Sequence, residues 1–341
     1  MNDKKTVALT GAGGLLGSHV LMELLRCGYS VRLLLRQPDK TIAELKTLFQ
    51  ACGFIWPSAD VITVVQGDVL ELDSLEEFLN HTDVVIHSAA SVAEVGRDRN
   101  SLLKINAEGT ANLVNLSASI QNIRFIHISS VATLGPNPGD LSDEDYFFKA
   151  SPRTSDYAIS KYAAEQEVWR GIEEGLNAII LNPSFIVGPS IGARSSSAVF
   201  SNLQKGLPAY VQGLTGYVDV ADVARATVML VSSEIRGIRL ICSAENLQVS
   251  EFLSLSATAL EVKPPSLKLS PVWFRLAARI EQWRAFLLGQ KPRFNLQTLR
   301  MASGNQAYDG SRLLAQLPGF KYYPVRDAID RSAQIMKAFK Q

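Results

Sequence analysis

Three polar residues have the types and the spacing of an acid–base site. Tyr157 and Lys161 are four residues apart in a segment of helical pattern, so both side chains lie on one helix face. A lysine ammonium beside a phenol favours the phenolate and lowers the pKa of the phenol. The tyrosine could then donate a proton to a carbonyl oxygen, or accept one in the reverse reaction. Ser130 follows a predicted strand and could hydrogen-bond the same oxygen.

A Tyr-x-x-x-Lys spacing is common on helices by chance, so its meaning depends on what precedes it. Near the amino terminus, the apolar run 7–9 is typical of a buried strand, and leucines and a valine recur at helical spacing from Leu16 onward. Gly11, Gly14 and Gly17 lie between them, in the strand–turn–helix context that a dinucleotide-binding loop requires. Gly11 permits the turn, Gly14 lets the backbone approach a pyrophosphate, and Gly17 lets the helix pack close to the strand. The helix N-terminus then offers free N–H groups to the anion.

The end of the second predicted strand indicates which dinucleotide would bind. An NAD site usually has an acidic residue there to hold the ribose 2′-hydroxyl. This sequence has Arg36 at that point, and its first carboxylate, Asp39, comes only after a proline. A guanidinium suits a 2′-phosphate, and Lys40 could add a second positive charge. We therefore predict NADP(H) as the preferred cofactor and NAD(H) as a possible one, the alternative being that Arg36 is a solvated side chain.

Strand and helix patterns alternate along the first half of the chain. Strands are predicted at 7–9, 30–35, 61–65, 83–87, 124–129, 177–181 and 238–242. After the helix that follows the glycine turn, helices are predicted at 41–49, 72–79, 101–119, 155–173, 199–204, 220–231 and 250–260. This alternation predicts an α/β fold, a Rossmann doubly wound parallel sheet with helices on both faces. The ligand should lie at the carboxyl ends of its strands.

The composition changes after Pro183, where glycine, proline and serine become frequent. We expect residues 1–183 to form the nucleotide-binding Rossmann domain, with a core strand at 238–243 returning to its sheet. Residues 184–341 should form a smaller, mostly helical substrate-binding lobe. Apolar residues from Trp273 to Leu287, with three arginines among them, predict a lid or packing helix of that lobe; a membrane-surface or partner helix is the alternative.

The composition excludes several classes of partner. The chain has 341 residues, a formal net charge of +1 and 47% hydrophobic residues, so nothing attracts it generally to nucleic acid. No apolar run is long enough to span a bilayer, and no signal-peptide pattern precedes the first strand, so we expect a cytoplasmic protein without membrane insertion. The three cysteines are far apart in sequence and form no metal-ligand spacing. His87 and His127 fall inside predicted strands and are expected to be core histidines, and Asp222 is expected to cap a helix.

Several short motifs now give the sequence a family likeness. Besides the glycine loop, they are Gly67-Asp68-Val69, His87-Ser88-Ala89-Ala90, Asn106-Ala107-Glu108-Gly109-Thr110, Ser129-Ser130, Tyr157-Ala158-Ile159-Ser160-Lys161, Asn182-Pro183-Ser184 with Gly188-Pro189, and Tyr217-Val218-Asp219-Val220. They cover about the first 245 residues in the family's order. The sequence resembles an extended short-chain dehydrogenase/reductase of the NAD(P)-dependent epimerase/dehydratase family, and within it dihydroflavonol-4-reductase-like proteins.

The resemblance implies roles for individual residues. Ser130, Tyr157 and Lys161 would form the catalytic set, and Lys161 would also hold the nicotinamide ribose. Asp68 and Val69 would flank the adenine, and the segment from Pro183 to Ile186 would lie against the nicotinamide. The implied cofactor site comprises Gly11, Gly14, Leu15, Leu16, Gly17, Arg36, Lys40, Asp68, Val69, Ser88, Ala89, Ala90, Asn106, Ser129, Tyr157, Lys161, Pro183, Ser184 and Ile186.

One departure from the family bears on the substrate. Many nucleotide-sugar epimerases have an arginine beside the aromatic residue before the Tyr-Val-Asp-Val stretch, whereas this chain reads Gly213-Leu214-Thr215-Gly216-Tyr217. Only Arg194 and Lys205 remain as phosphate partners between Pro189 and Gly216. This favours an NADP-dependent oxidoreductase that reduces a carbonyl of a small organic molecule or oxidises the alcohol. A nucleotide-sugar epimerase or dehydratase and a non-catalytic NAD(P)-binding regulatory protein are the alternatives. A homodimer is possible, as in many relatives.

Overall fold

The fold is described from a computed structural model. It describes residues 5–58, 60–92, 99–135, 137, 141–151, 154–191, 196–288 and 305–338. In chain order the strands β1 to β14 are Thr6–Thr10, Ser30–Leu35, Ile62–Gln66, Val84–His87, Arg124–Ile128, Leu141–Ser142, Asn177–Pro183, Phe185–Val187, Ala209–Val211, Leu214–Asp219, Arg239–Cys242, Glu245–Gln248, Leu267–Leu269 and Ala307–Tyr308. The helices α1 to α12 are Leu15–Arg26, Pro38–Ala51, Leu72–Leu79, Arg99–Leu103, Gly109–Ala118, Asp156–Glu173, Ser196–Gln204, Val220–Val231, Val249–Ala259, Pro271–Leu287, Ser311–Gln316 and Val325–Ala338.

Seven strands form a parallel central sheet in the order β11-β7-β5-β4-β1-β2-β3. The central strands are mostly apolar and largely buried because both faces of the sheet are covered. Val7 and Leu9 of β1 pack on one face with α1, α2 and α8, whereas Ala8 packs on the other with α3, α5 and α6. This is the predicted doubly wound Rossmann arrangement, and the prediction of the fold class is confirmed.

The residues beyond 183 contribute to two units. The helix α8 packs against α1, and β11 pairs with β7 in register Leu240↔Leu181, so both belong to the central sheet and its cover. The remainder contains a sheet that the sequence analysis did not predict, of β12, β10 and β8. Its core is lined by Phe200, Tyr217 and Phe252 together with apolar residues of α12. The chain after residue 183 thus contributes both to the central sheet with its helices and to the smaller unit. The division into domains at residue 183 stays a prediction.

Two local expectations need correction. The helix α2 begins at Pro38 and not at Thr41, because proline is well suited to the first helical turn, where its missing N–H costs nothing. Asp222 does not cap α8. Asp219 does, accepting a hydrogen bond from Ala221 N at 3.0 Å, and Asp222 lies buried in the first turn.

Candidate active site

The glycine turn lies against the end of a neighbouring strand. Gly11 has φ of 78°, a left-handed conformation that favours glycine. A Cβ there would lie 2.6 Å from Ala89 N and 2.7 Å from Ser88 C. Thr10 Oγ1 also accepts a hydrogen bond from Ala89 N at 3.1 Å. The turn after β1 and the segment after β4 are therefore held together at the predicted edge of the sheet.

The start of α1 has the form expected of an anion site. Gly14 precedes the helix in extended conformation, and its N–H donates to Gly11 O at 2.9 Å. A Cβ on Gly17 would lie 2.1 Å from Gly11 O, so Gly17 is required by the turn itself. A Cβ on the exposed Gly14 would meet only Gly11 O, at 3.2 Å. Leu15 and Leu16 are buried, so their backbone is what a pyrophosphate could reach.

The adenosine side of the candidate site contains Arg36, Lys40, Asp68 and Val69. The Arg36 side chain is 70% exposed, and its Nε lies 4.0 Å from Asp68 Oδ2. Lys40 is exposed in the first turn of α2. Asp68 is half-buried and accepts a hydrogen bond from Leu70 N at 3.1 Å, while Val69 is buried. The structure thus exposes both basic side chains to solvent, Arg36 after β2 beside Asp68 and Lys40 in the first turn of α2.

The side-chain amide of Asn106 is hydrogen-bonded to other residues of the protein, whereas a cofactor ligand needs a free polar group. It lies in a π-helical segment, Lys104–Glu108, between α4 and α5. Its Oδ1 accepts from Ser91 N at 2.6 Å, and its Nδ2 donates to Ser91 O at 3.0 Å and to Ser160 Oγ at 2.9 Å. Both ends of the amide are occupied by protein groups. Asn106 therefore ties the segment after Ala90 to α6, and a direct contact with cofactor stays a prediction.

The residues proposed for catalysis meet where β5 ends and α6 begins. Ser155 caps α6 by accepting a hydrogen bond from Ala158 N at 3.1 Å, which fixes the first turn that carries Tyr157. The hydroxyl of Ser130 lies near enough to Tyr157 to lower the pKa of the phenol. One turn further, Lys161 Nζ donates to Ile128 O at 2.8 Å and is 2% exposed. The structure brings all three side chains together.

The pKa values of this set differ from the sequence-based expectation. Burial raises the pKa of Tyr157, and only the hydrogen bond from Ser130 opposes it. Burial lowers the pKa of Lys161 from 10.5 to about 8, while the nearby Glu165 opposes that shift. The expectation that Lys161 lowers the pKa of Tyr157 is not met in this structure. Burial is the largest cause of the raised pKa of Tyr157.

Sequence reasoning missed Glu165, which follows Lys161 by one helical turn and is fully buried. Its Oε2 accepts from Ser129 Oγ at 2.6 Å, Thr133 Oγ1 at 2.8 Å and Asn182 Nδ2 at 2.9 Å. Its Oε1 faces Arg239 Nη1 at 3.2 Å. The only signal in the sequence is the spacing of Tyr157, Lys161 and Glu165 on one helix face. Ser129 is turned toward Glu165, so its predicted contact with a cofactor stays a prediction.

The two strand histidines are buried, as predicted, but only one is satisfied. His87 Nδ1 and Nε2 lie 2.8 Å and 3.0 Å from Thr10 Oγ1 and Thr110 Oγ1. Neither ring nitrogen of His127 has a hydrogen-bond partner among the described residues. Burial lowers the pKa of His87 to about 3 and that of His127 well below its usual value. Both imidazoles are neutral beside Lys161.

The segment from Pro183 to Ile186 crosses from β7 to β8. Ser184 N donates to Cys242 O at 3.0 Å, which links the two sheets. The buried Ser184 Oγ has no partner among the described residues. A buried hydroxyl without a partner is costly and suits a polar ligand. With the turn at Gly14 and the exposed Arg36, the chain offers a fitting set of groups for a nicotinamide dinucleotide.

Comparison with known proteins agrees with this geometry. The model of the NAD dependent epimerase/dehydratase family matches residues 7–239. The chain belongs to this family. It is 28% identical over 320 residues to a putative dihydroflavonol 4-reductase of Synechocystis sp., covering 91% of this chain and 88% of that protein. It is 28% identical to cinnamoyl-CoA reductase 1 of Petunia hybrida over 281 residues, covering 79% of this chain and 81% of that protein.

Among solved structures, the chain resembles yeast methylglyoxal/isovaleraldehyde reductase Gre2 complexed with NADPH, with a TM-score of 0.75 and 20% identity. The match covers 98% of this chain and 99% of that one. That likeness shows the fold. The predicted resemblance to the family and to dihydroflavonol-4-reductase-like proteins is confirmed. Family and reductase relatives together support an NAD(P)-dependent oxidoreductase or epimerase activity with a nucleotide cofactor. Among the described residues, no helix combines the length and apolar character needed to cross a membrane.

Proposed function

We propose that the protein is an NADP-dependent reductase of a carbonyl group in a small organic molecule, or the dehydrogenase of the corresponding alcohol. The observation that carries the proposal is Lys161, buried one helical turn after Tyr157 and hydrogen-bonded to Ile128 O at the end of β5, beside Ser130. A phenol and a serine hydroxyl at one point can both reach a single substrate oxygen. The reductase names of the relatives support this assignment.

Each residue has one task in the proposed reaction. Tyr157 Oη donates its proton to the substrate oxygen, and Ser130 Oγ hydrogen-bonds the same oxygen as negative charge develops on it. The Lys161 ammonium stabilises the phenolate that proton transfer leaves, and its hydrogen bond to Ile128 O fixes its position. When bound, the nicotinamide supplies the hydride to the carbonyl carbon. In the alcohol-oxidising direction the same groups act in reverse.

The test is Tyr157→Phe, with Tyr162→Phe as the matched control. Tyr162 lies on the same helix and stacks on Phe148 at 4.2 Å, so phenylalanine keeps its packing. With a panel of aldehydes, ketones and alcohols followed by nicotinamide absorbance, Tyr157→Phe should lose turnover by about 10²–10⁴-fold and keep its cofactor affinity. The control should retain turnover. Equal turnover of Tyr157→Phe and the native protein would remove Tyr157 from the mechanism.

The preference for NADP rests on Arg36. Its side chain is largely exposed, the weak contact with Asp68 leaves it free to meet an anion, and Lys40 is exposed nearby. Replacing Arg36 with Ser should weaken NADPH binding much more than NADH binding in calorimetric titrations. Arg26→Ser is the control, because Arg26 is paired with Glu23 at the far end of α1. Equal losses for both cofactors would contradict the NADP assignment.

The same assay separates the alternative functions. A nucleotide-sugar epimerase would isomerise its substrate without net consumption of reduced cofactor, whereas a reductase consumes it stoichiometrically. A less charged substrate is supported by the sequence, because the stretch 213–217 has no arginine beside Tyr217. Lys205 is exposed at the end of α7, and Arg194 lies outside the described residues. A regulatory protein would bind cofactor and turn over none of the panel.

A further inference from the structure

Five large apolar side chains of α10 are exposed to solvent. Trp273, Ile280, Trp283 and Leu287 are 63%, 62%, 69% and 75% exposed, and Leu276 is 48% exposed. These five residues follow one another at intervals of three or four, so they form one continuous stripe along the helix. We call it the α10 stripe. Tryptophan and leucine side chains of this size normally provide the buried area of a core.

The opposite side of α10 is the one that faces the protein. Ala285 is 2% exposed and Glu281 is 8% exposed, and these two residues lie one helical turn apart. Arg284 Nε and Nη2 donate to the Glu281 carboxylate at 2.8 Å and 2.7 Å. A helix that packs on its own domain turns its apolar side inward. In α10 the five residues of the stripe face solvent instead, and the role of a packing or lid helix stays a prediction.

The charge of this part of the sequence indicates what the stripe would meet. Residues 263–300 contain eight Lys and Arg and one Glu, whereas the rest of the chain contains 26 Lys and Arg and 32 Asp and Glu. Two copies joined through the α10 stripe would bring like charges together, which opposes a symmetric dimer at this face. An anionic surface with an apolar layer beneath it complements both features. That description fits a bilayer of anionic phospholipid.

We propose that α10 lies in the plane of an anionic phospholipid bilayer, with the α10 stripe buried among the headgroups and the exposed Arg279 on the lipid phosphates. The helix has 17 residues, spans about 25 Å at 1.5 Å per residue and contains four charged residues, Arg275, Arg279, Glu281 and Arg284, so it lies on the bilayer and does not cross it. Tryptophan prefers this interfacial depth. The inference is independent of the reductase reaction, since it uses none of the residues of the candidate active site.

The test is flotation of the full-length protein with vesicles, at ionic strengths of about 0.01 M and about 1 M. Vesicles of phosphatidylcholine alone are compared with vesicles of equal parts phosphatidylcholine and phosphatidylglycerol. The double variant Trp273→Ser/Trp283→Ser should lower the partition coefficient at least about tenfold. Ile55→Ser, at a residue that is 88% exposed elsewhere, is the matched control and should bind as the native protein does. Arg279→Gln should weaken binding at low salt, and Arg326→Gln, an exposed arginine of α12, should not.

Binding to the anionic vesicles only, lost at high salt and in the double tryptophan variant, supports the proposal. The absence of binding to anionic vesicles, or binding that the double variant retains, overturns it. Sedimentation velocity of the native protein and the double variant tests the other possible occupant of the stripe, a second copy of the chain. If the native protein is an oligomer that the double variant dissociates, a second copy covers the stripe and the proposal fails. Circular dichroism should show the same melting temperature for all variants, because every substituted side chain is at the surface.

Discussion

Replacing Lys161 with methionine should change the pH dependence of stability in a defined direction. The native ammonium is 2% exposed and donates one hydrogen bond, to Ile128 O at 2.8 Å. Burial lowers its pKa from 10.5 to about 8, and Glu165 opposes the shift. His87 and His127 are neutral neighbours and add no countercharge. The buried amine is therefore easier to deprotonate in the folded chain than in the unfolded chain.

The sign follows from proton binding. Between about pH 8 and pH 10.5, Lys161 is protonated in the unfolded chain and increasingly neutral in the folded one, so the unfolded state binds more protons. The contribution of this residue to the free energy of unfolding must therefore rise with pH in that window. A shift of roughly 2.5 pH units corresponds to about 3 kcal/mol at 1.36 kcal/mol per unit. Lys161→Met lacks this contribution at every pH.

Urea unfolding followed by circular dichroism at pH values from about 7 to about 10 measures the effect. Methionine fills a similar space without charge, although it leaves Ile128 O without its donor, a cost that does not depend on pH. We expect the free energy of unfolding of Lys161→Met minus that of the native protein to fall by about 2–3 kcal/mol across the range. Lys205→Met, at an exposed lysine, should show a constant difference. A constant difference for Lys161→Met as well would refute the assigned burial of the amine.

Two further changes separate structural from binding roles. Glu165→Gln should lower the free energy of unfolding by about 3 kcal/mol in urea, because it leaves the guanidinium of Arg239 buried without a carboxylate. The control is Glu167→Gln, which removes a partly exposed ion pair and should cost less than about 1 kcal/mol. Similar losses for the two variants would contradict the buried network. Gly14→Val should unfold at nearly the native urea concentration, since a Cβ there meets only Gly11 O, and should bind NADPH at least about tenfold more weakly in calorimetry. Unchanged affinity would place the pyrophosphate elsewhere.

The parts of the site that the sequence could predict are those encoded within a few residues. The glycine turn is one, because Gly11, Gly14 and Gly17 act on a single strand–turn–helix unit. The pairing of Tyr157 with Lys161 is another, since the helical repeat alone puts them on one face. The placement of Ser130 at the same edge of the sheet as the start of α6 was predicted from the rule that parallel strands end at a common edge. All of these predictions used only the strand and helix pattern of the sequence, without any knowledge of tertiary contacts.

Glu165 could not be assigned in the same way. A glutamate on a helix is solvated far more often than buried, and nothing near it in the sequence contradicts that reading. Its partners come from elsewhere in the chain, with Arg239 arriving on β11 and Asn182 on β7. The sheet of β8, β10 and β12 was missed for a related reason. Its strands are three to six residues long, and Tyr217 pairs across the fold with Phe185 and Glu245.

The direction of the Tyr157 pKa shows what spacing leaves out. The sequence placed a cation four residues from the phenol, and Coulomb attraction alone lowers the pKa of a phenol. The fold removes both groups from water, and this desolvation penalises the phenolate and the ammonium alike. Burial depends on residues from β5, β7 and α6 together, none of which the spacing contains. A functional motif in a sequence therefore predicts which side chains lie close together, but not whether burial or the neighbouring charge determines their pKa values.

The helix α6 connects the reactive phenol to the buried core through three residues spaced by four. Tyr157 lies near Ser130. Lys161 Nζ donates a hydrogen bond to Ile128 O, and Glu165 accepts one from Ser129 Oγ. Ser129 and Ser130 are consecutive, so the helix contacts the end of β5 at three successive levels. A shift of α6 along its axis would break all three contacts together, and the carboxylate at the lowest level resists it with hydrogen bonds to charged and neutral donors. Glu165 thus fixes the position of Tyr157 along the axis of α6, relative to Ser130. In the proposed reaction, this arrangement, rather than the tyrosine alone, lets one substrate oxygen receive both a proton from Tyr157 and a hydrogen bond from Ser130.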